Sequence, residues 1–557
     1  MICGDAGEQS LFTHAAAFVR ARQLRSDLDV GPLIESPPPD CDPEILKRLR
    51  QMYEAGGWVL VESALADLPH DLRWLYESGA VTIEQLGTLH QATGATSAAD
   101  LAAAVQGHAL RGLPGFDEAA EAAVAAAIPG LRSLVPRIPL GRAASIAEPI
   151  LDHLRAVPGI AWAQPAGSLR RGQDMVGDIE IVAAAADSSR AILELLHLTE
   201  STHCLHHGAR RVYLLTERLQ VGVRLEEPDN AGAALLYLTG SAAHFEQLQA
   251  RAVETGWRLT PAGLYAADGA LHPAASEDDI YAALGLPLIP PEVRNGDEEI
   301  ARALAGTLPA FVVREDMRGD LHMHTMWSDG RDSIAAMVET CLALGYEYMA
   351  ITDHSPHSAA SRNLTSDGVK KQAEEIAALR VQYPAITILH GCEVDILPDG
   401  RLDFPDKILE RFDIVLASLH ERAGHGADQL LTRYVSAMKH PLVTMITHPT
   451  NRVVGHRAGY QLDYDRLFEA AIETKTAVEI DGSPSHLDLD GALARRAIAA
   501  GCLMAIDSDC HRSEMLDRQM RLGILTARRG WVEPRHVLNT RPLADVLAVI
   551  AGKRGPR

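Results

Sequence analysis

Lysine is nearly missing from the front of this 557-residue chain, where Lys47 is the only one before Lys370. Arginine replaces it, so phosphate contacts survive, but an imine-forming amine nucleophile has only Lys47 to supply it. Cysteine is scarce too: the 7 are odd in number, scattered, and form no CxxC pair, which fits a reducing cytoplasm. No apolar run is long enough to span a bilayer, and Met1–Asp5 lacks the basic and apolar regions of a signal peptide, so a cytoplasmic protein without a membrane partner is expected. Positive charge is also short. With 52 Lys+Arg against 74 Asp+Glu the net charge is −22. This weighs against a protein that coats nucleic acid, whose affinity comes from neutralising phosphate. Bound cations and local basic patches can offset it. At 47% hydrophobic and 23% charged, the composition is that of a globular protein, and the length calls for roughly two to four domains.

What the chain does have is a run of short apolar strands, each ending in a His, Asp or Glu. The first leads into Asp320-Leu321-His322-Met323-His324, with Asp329 on the loop that follows. Histidines at i and i+2 on a strand point the same way and can reach one metal ion. The design recurs at Tyr348–Ile351 before His354, Ile386–His390 before Glu393, Ile414–Ala417 before His420 and Val443–Ile446 before His448. It recurs again at Ala477–Ile480 before Asp481 and at Leu503–Ile506 before Asp509 and His511. Helix-like segments such as Ser333–Leu344 and Ser366–Gln382 lie between. Such alternation predicts a parallel barrel with its chemistry at the C-terminal strand ends.

The segments DLHxHTxxSDG, TDHS, GxEVDI, SLH, THP and SDxH occur in this order from about Arg314. In them the chain resembles a PHP phosphoesterase domain, a distorted barrel of seven strands around up to three metals. The resemblance implies His322, His324, Asp329, His354, Glu393, His420, His448, Asp509 and His511 as ligands. Zinc, manganese or iron(II) all suit such donors. Glu393 is expected to bridge two ions, with Asp509 and His511 beside it in catalysis. Arg452 and Arg512, which follow ligand turns, are candidate phosphate clamps. Cys392 and Cys510 flank ligands but read as packing residues. His357, His425, His456 and His486 read as surface or supporting histidines.

The front half begins with helix-like stretches at Leu11–Leu28 and Pro43–Ala55, separated by Pro37-Pro38-Pro39. Leu110-Arg111-Gly112-Leu113-Pro114-Gly115-Phe116-Asp117 resembles a helix-hairpin-helix loop, with Asp117 where a second glycine normally helps bind DNA phosphate. Gly167-Ser168-Leu169-Arg170-Arg171, followed by Asp178 and Glu180, resembles the nucleotidyltransferase palm of family X DNA polymerases. The resemblance implies Gly167, Ser168 and Arg171 at a triphosphate and Asp178 and Glu180 at magnesium. It continues through Leu235-Leu236-Tyr237-Leu238-Thr239-Gly240-Ser241, Gly256-Trp257-Arg258-Leu259 and Tyr281–Pro287, where the family has the end of its palm and its thumb.

The chain is thus expected to be a multidomain α/β protein with the layout of bacterial and archaeal family X polymerases. The expected parts are a helical N-terminal region (1–60), a helix-hairpin-helix region (61–138), a palm (139–235), a thumb-like part (236–296), a linker (297–316) and a (β/α)7 PHP barrel (317–557). Two departures stand against polymerisation. Gly222 sits in Leu219–Leu225 where the third carboxylate belongs, and the second carboxylate is Glu180, one methylene longer. General-base catalysis alone is worth about 10²–10⁴-fold. Glu226 and Glu227 lie past the matching position, magnesium at the palm is not expected to hold, and only Lys47 remains for a lyase. The expectation is a metal-dependent 3′–5′ exonuclease or 3′-end-processing enzyme of DNA repair. Its substrates would be gapped or primer–template DNA, with nucleotides as further ligands. A histidinol-phosphatase-type small-molecule phosphatase, a still-active polymerase and a metal-stabilised scaffold are the alternatives.

Overall fold

The computed structural model describes residues 43, 46, 70–134, 137–198, 202–216, 219–358, 360 and 362–555. Apart from two isolated positions, the expected N-terminal helices, the triple proline and Lys47 lie outside the described residues. The chain forms two compact units. One holds the residues described up to 134 with Asp152–Ala163 and Ile181–Pro228, and the other holds Arg137–Leu151, Gln164–Glu180 and Asp229–Arg557.

In the first unit, helices His70–Glu77, Ile83–Thr93, Ala98–Gln106 and Glu118–Leu134 pack around Leu72, Leu86, Leu89 and Leu101. Two of them begin with reciprocal caps, Thr82 with Gln85 and Ser97 with Asp100, which satisfy amides that the first turn leaves unpaired. The hairpin-like segment turns at Gly115, whose φ of 82° favours glycine. Asp117 accepts the Ala120 N–H at 2.8 Å. The carboxylate that replaced a loop glycine is therefore the cap of the helix that follows.

The next strands in the chain are β1 (Ile138–Pro139), β2 (Ile160–Pro165), β3 (Met175–Val176), β4 (Ile179–Ala185), β5 (Thr202–His207), β6 (Arg211–Thr216) and β7 (Leu219–Glu226). Five of them form a sheet in the order β2-β4-β7-β6-β5. Arg211 and Arg224 on β6 and β7 each lie 3.4 Å from Asp100, and burial of that carboxylate is outweighed by the two guanidiniums, which lower its pKa. Glu226 pairs with Arg224 and Glu227 with Arg210.

In the second unit, helices Ala231–Thr239, Ala242–Glu254 and Glu277–Ala283 pack with the small sheet β8 (Arg258–Thr260), β9 (Gly263–Tyr265) and β10 (Leu271–His272). Its polar centre is Glu277, which takes bidentate bonds from Arg294 at 2.6 and 3.0 Å and from Arg170 at 2.8 and 2.8 Å. Burial works against the charge, but the two arginines bring its pKa down to about 2.

The barrel follows: β11 (Gly319–Asp320), β12 (Tyr348–Ile351), β13 (Thr387–Asp395), β14 (Ile414–Ser418), β15 (Met445–Ile446), β16 (Ala477–Asp481) and β17 (Met504–Asp507). They pair in parallel in chain order as one 7-stranded sheet. A bridge between Met323 and Cys510, with the His324 N–H on the Cys510 carbonyl at 2.8 Å, brings the last strand back to the first. Alternation sorts the side chains. Tyr348, Ala350, Ile414 and Leu416 fill the inside, while Met349, Ile351, Val415 and Ala417 pack under the crossover helices. Val546 and Ile550 of helix Leu543–Arg554 belong to the inside cluster. Functional groups gather at the other end of the strands.

Removing one partner of a buried ion cluster leaves an uncompensated charge, so Glu277→Gln should destabilise the fold by about 3 kcal/mol. Because the folded pKa lies below the unfolded one, this contribution is full above about pH 4.5 and is lost as pH falls towards about 2. Urea unfolding at pH 7 and pH 3 checks this, and the difference between native chain and variant should shrink at the lower pH.

Candidate metal centre

The donors cluster because strand pairing sets their register. His322 and His324 follow β11, His354 bridges to Glu393 inside β13, His420 follows β14, His448 follows β15, and Asp509 and His511 follow β17. Gly330 lets the Asp329 loop lie against this strand end, since a Cβ there would stand 2.5 Å from the His324 carbonyl carbon. Buried Asp353 holds the same loop. It accepts the Thr325 N–H at 2.8 Å, the Thr325 hydroxyl at 2.7 Å, the Ser328 hydroxyl at 2.5 Å and the Gln372 amide at 2.6 Å.

Three overlapping groups of ligand atoms result: His324, Asp329, His354 and His511; His322, His324 and Asp509; and His354, Glu393 and His420. Within each group the atoms lie no more than 4.8 Å apart. His448 joins through Nε2, 2.8 Å from Glu393 Oε1. The structure thus gathers every barrel residue that the sequence singled out as a ligand.

The donors fit divalent cations. His354 Nδ1 and Glu393 Oε2 are 2.8 Å apart, yet they are misaligned for a hydrogen bond, and both are buried without another partner. His322 Nε2 and His324 Nε2 face each other at 3.1 Å, and Asp509 Oδ1 lies 3.1 Å from the second. Such crowding of lone pairs in a dry pocket is costly unless a cation sits among them. Burial and the neighbouring His354 and His511 lower the His324 pKa to about 3, which keeps its ring neutral and able to ligate. Burial raises the pKa of Glu393, but the surrounding histidines outweigh it and hold the group well below the usual carboxylate range. Asp509 is likewise lowered against burial, by His322 and His324. His448 and Asp509 also have φ of 26° and 49°, strained values for residues with a side chain.

Supporting residues escaped the sequence reading. Glu479, buried in β16, takes His322 Nδ1 at 2.6 Å and the His448 N–H at 2.7 Å. Asp395, two residues beyond Glu393 on the same face of β13, lies 3.0 Å from His420 Nδ1. The signal for both was a carboxylate inside an apolar strand, one residue pair away from a recognised ligand or strand end. His486 stacks on His448 with ring centroids 5.6 Å apart, a supporting place as expected. Cys392 and Cys510 are buried, as packing residues should be.

The arginines diverge. Arg452 was expected at phosphate, but its guanidinium is engaged within the fold. It bonds Asp174 at 2.7 Å, the His486 carbonyl at 2.8 Å and the Leu487 carbonyl. That corrects the expectation, because all three nitrogens have partners and Asp174 is also held by Arg529. Arg512 remains 44% exposed, with Glu514 at 3.6 Å as its ion pair.

On the polymerase-like side, Gly167, with φ 59°, opens the short helix Gly167–Arg170, and the Ser168 hydroxyl accepts the Gly177 N–H at 3.4 Å. Arg170 is taken by Glu277, and Arg171 bonds the Thr239 carbonyl. Asp178 stands just before β4 and Glu180 within it, both half-buried. Gly222 is buried mid-strand in β7, opposite Tyr213.

Comparison with known proteins agrees with both halves. Residues 234–295 match the family described as DNA polymerase beta thumb, and residues 320–481 match the PHP domain. A probable phosphatase of Caldanaerobacter subterraneus subsp. tengcongensis is 30% identical over 34% of this chain and 75% of its own length. Among solved structures, histidinol phosphate phosphatase from Lactococcus lactis covers 38% of this chain and 94% of its own at 17% identity and a TM-score of 0.31. No helix among the described residues is long and apolar enough to cross a membrane. DNA polymerase/3′-5′ exonuclease PolX of Bacillus subtilis is 34% identical over 90% of this chain and 88% of its own length. Likeness over that extent, from the thumb through the barrel, makes this chain a member of the family X DNA polymerases that carry a C-terminal PHP domain.

Proposed function

We propose that the chain is a metal-dependent phosphoesterase that trims DNA 3′ ends as a 3′–5′ exonuclease in repair, with a polymerase half that has lost or nearly lost synthesis. The observation that carries this is the convergence of buried donors around Glu393 in a chain whose palm-like strand has Gly222 in place of a third carboxylate. The name of the Bacillus subtilis relative, which couples a polymerase with a 3′-5′ exonuclease, supports it. The domain boundaries drawn from the sequence belong to the same proposal, with the thumb match at 234–295 close to the 236–296 assigned to that part.

His322, His324, Asp329, His354, Glu393, His420, His448, Asp509 and His511 would hold two or three zinc, manganese or iron(II) ions. Such ions supply Lewis-acid charge to phosphoryl oxygens and make water acidic enough to attack phosphorus at neutral pH. The rest of the work is done by the chain. Glu479 fixes the tautomer and tilt of His322, and Asp395 does the same for His420, so that their free nitrogens point into the cluster. Glu393 reaches donors on both sides, with Oε2 near His322, His324 and His354 and Oε1 near His420 and His448. Arg512, next to His511 in the chain and with an exposed guanidinium, would bind a phosphoryl oxygen. Gly167, Ser168, Arg171, Asp178 and Glu180 remain as a nucleotide-binding remnant.

A second reading, a small-molecule phosphatase, draws on the net charge of −22 and the probable phosphatases among the relatives. A 5′-labelled primer–template with manganese decides between them. Under the exonuclease reading the primer shortens from its 3′ end and His324→Ala reduces this to background. An untouched primer alongside turnover of a small phosphomonoester favours the phosphatase. Glu479→Gln should raise the manganese concentration for half-maximal activity roughly 10–100-fold, with much of the rate returning at saturation. In the presence of dNTPs, extension by the native chain should stay at background and Gly222→Asp should raise it. No rise would place the defect at Glu180 or deeper in the palm.

A further inference from the structure

We infer that Arg331 and Arg362 form a clamp for the phosphates that flank the scissile one on a nucleic-acid strand, an inference that rests on the DNA-end reading above. The donor cluster is closed at its base and open at its rim. The side chains of His322, His324 and Glu393 are 0% exposed, whereas Asp329, His420 and His511 are 23%, 26% and 35% exposed. Two of these three exposed donors, Asp329 and His511, lie on adjoining loops that form one edge of the rim, along which a polymeric substrate can run.

These two loops are laced together. The Arg331 N–H donates to the His511 carbonyl at 2.8 Å, and the Ser513 amide and hydroxyl donate to Asp332 at 2.7 and 2.9 Å. Arg362 reaches the same edge, its Nη2 on the Gly330 carbonyl at 3.3 Å. Both arginines are exposed, and among the described residues neither has a carboxylate partner. Asp332, the adjacent acid, is occupied by Ser513, and Glu514 lies with Arg512.

In a chain with 22 more negative than positive charges, two arginines without an acid partner at the rim of an anion-processing site call for an anionic ligand. One phosphate occupies the donor cluster itself. Guanidiniums set outside it gain a partner only when the substrate brings further phosphates, which a nucleic-acid strand does and a lone phosphoester does not. Arg331 and Arg362 thus act on strand binding and on the preference for polymer over monomer.

The test uses the full-length manganese-loaded protein with two probes that are each attacked at the 5′-phosphoryl group of a nucleoside and differ in leaving group and in the presence of further phosphates. These are a 5′-labelled single-stranded oligodeoxynucleotide and the p-nitrophenyl ester of thymidine 5′-monophosphate. In the Arg331→Ala/Arg362→Ala double variant, KM for the oligonucleotide should rise at least tenfold more than KM for the ester. The dependence of log KM on log salt should flatten by about 0.7 per arginine removed. Arg331→Lys should recover part of both. Unchanged oligonucleotide KM and salt slope, or parallel losses on the two probes, overturn the clamp while leaving the nuclease intact. A native protein that turns over the ester but never shortens the oligonucleotide overturns the DNA-end reading itself, and the clamp with it.

Discussion

Everything at the barrel mouth depends on one buried carboxylate. Glu393 lies fully inside β13 with five histidines within 3.5 Å of its oxygens. Taking a carboxylate out of water costs several kcal/mol and is tolerated only where positive charge replaces the solvent. Those histidines, which with Glu393 would hold the compensating cations, come from segments after β11, β12, β14 and β15, so a site that offsets the buried carboxylate exists only when the parallel register is complete. The closing contact of Met323 with Cys510 adds Asp509 and His511 from the last strand. Fold and site are thus one constraint. The interior hydrophobic layer fixes the register, and the register assembles the donors.

The polymerase-like parts follow a different logic, in which ionic groups are spent on the fold. Arg170, next to the Arg171 that the family resemblance sets near triphosphate, is bonded to Glu277 and Thr239. Arg452, next to a ligand turn, is bound to Asp174 and to the chain around His486. Glu226 and Glu227, the carboxylates that follow Gly222 in the chain, face Arg224 and Arg210. Each pair removes a charge from the inventory available to a substrate while the polymerase-like architecture is retained.

Much of the barrel was legible in the chain. Tyr348–Ile351 and Ser366–Gln382 appear with the expected bounds, because an apolar run and a helix bounded by a threonine cap are local signals. β13 differed. It runs on through Gly391, Cys392 and Glu393 to Asp395, where the sequence suggested an end at His390. Acidic residues have low strand propensity, and here ladder pairing with β14 and compensation by the histidines override it. Glu479 was missed for a related reason. In sequence it is one acid in an apolar run, and only the fold reveals that His322 Nδ1 and the His448 amide converge on it from other strands. Asp117 shows the reverse, a residue read for its effect on phosphate whose local task is to cap a helix.

Residue types and spacing in the chain were enough to determine the class of chemistry, to single out the candidate ligands and to mark Gly222 as a position without a carboxylate. These are matters of which atoms are present, and neither an absent carboxylate nor an HxH pair needs a fold to be counted. Which arginines remain available, which acids orient the imidazoles and which donors meet solvent were decided only by the tertiary structure. A charged side chain takes its role from whatever lies within about 4 Å of it, and those neighbours are mostly distant in sequence.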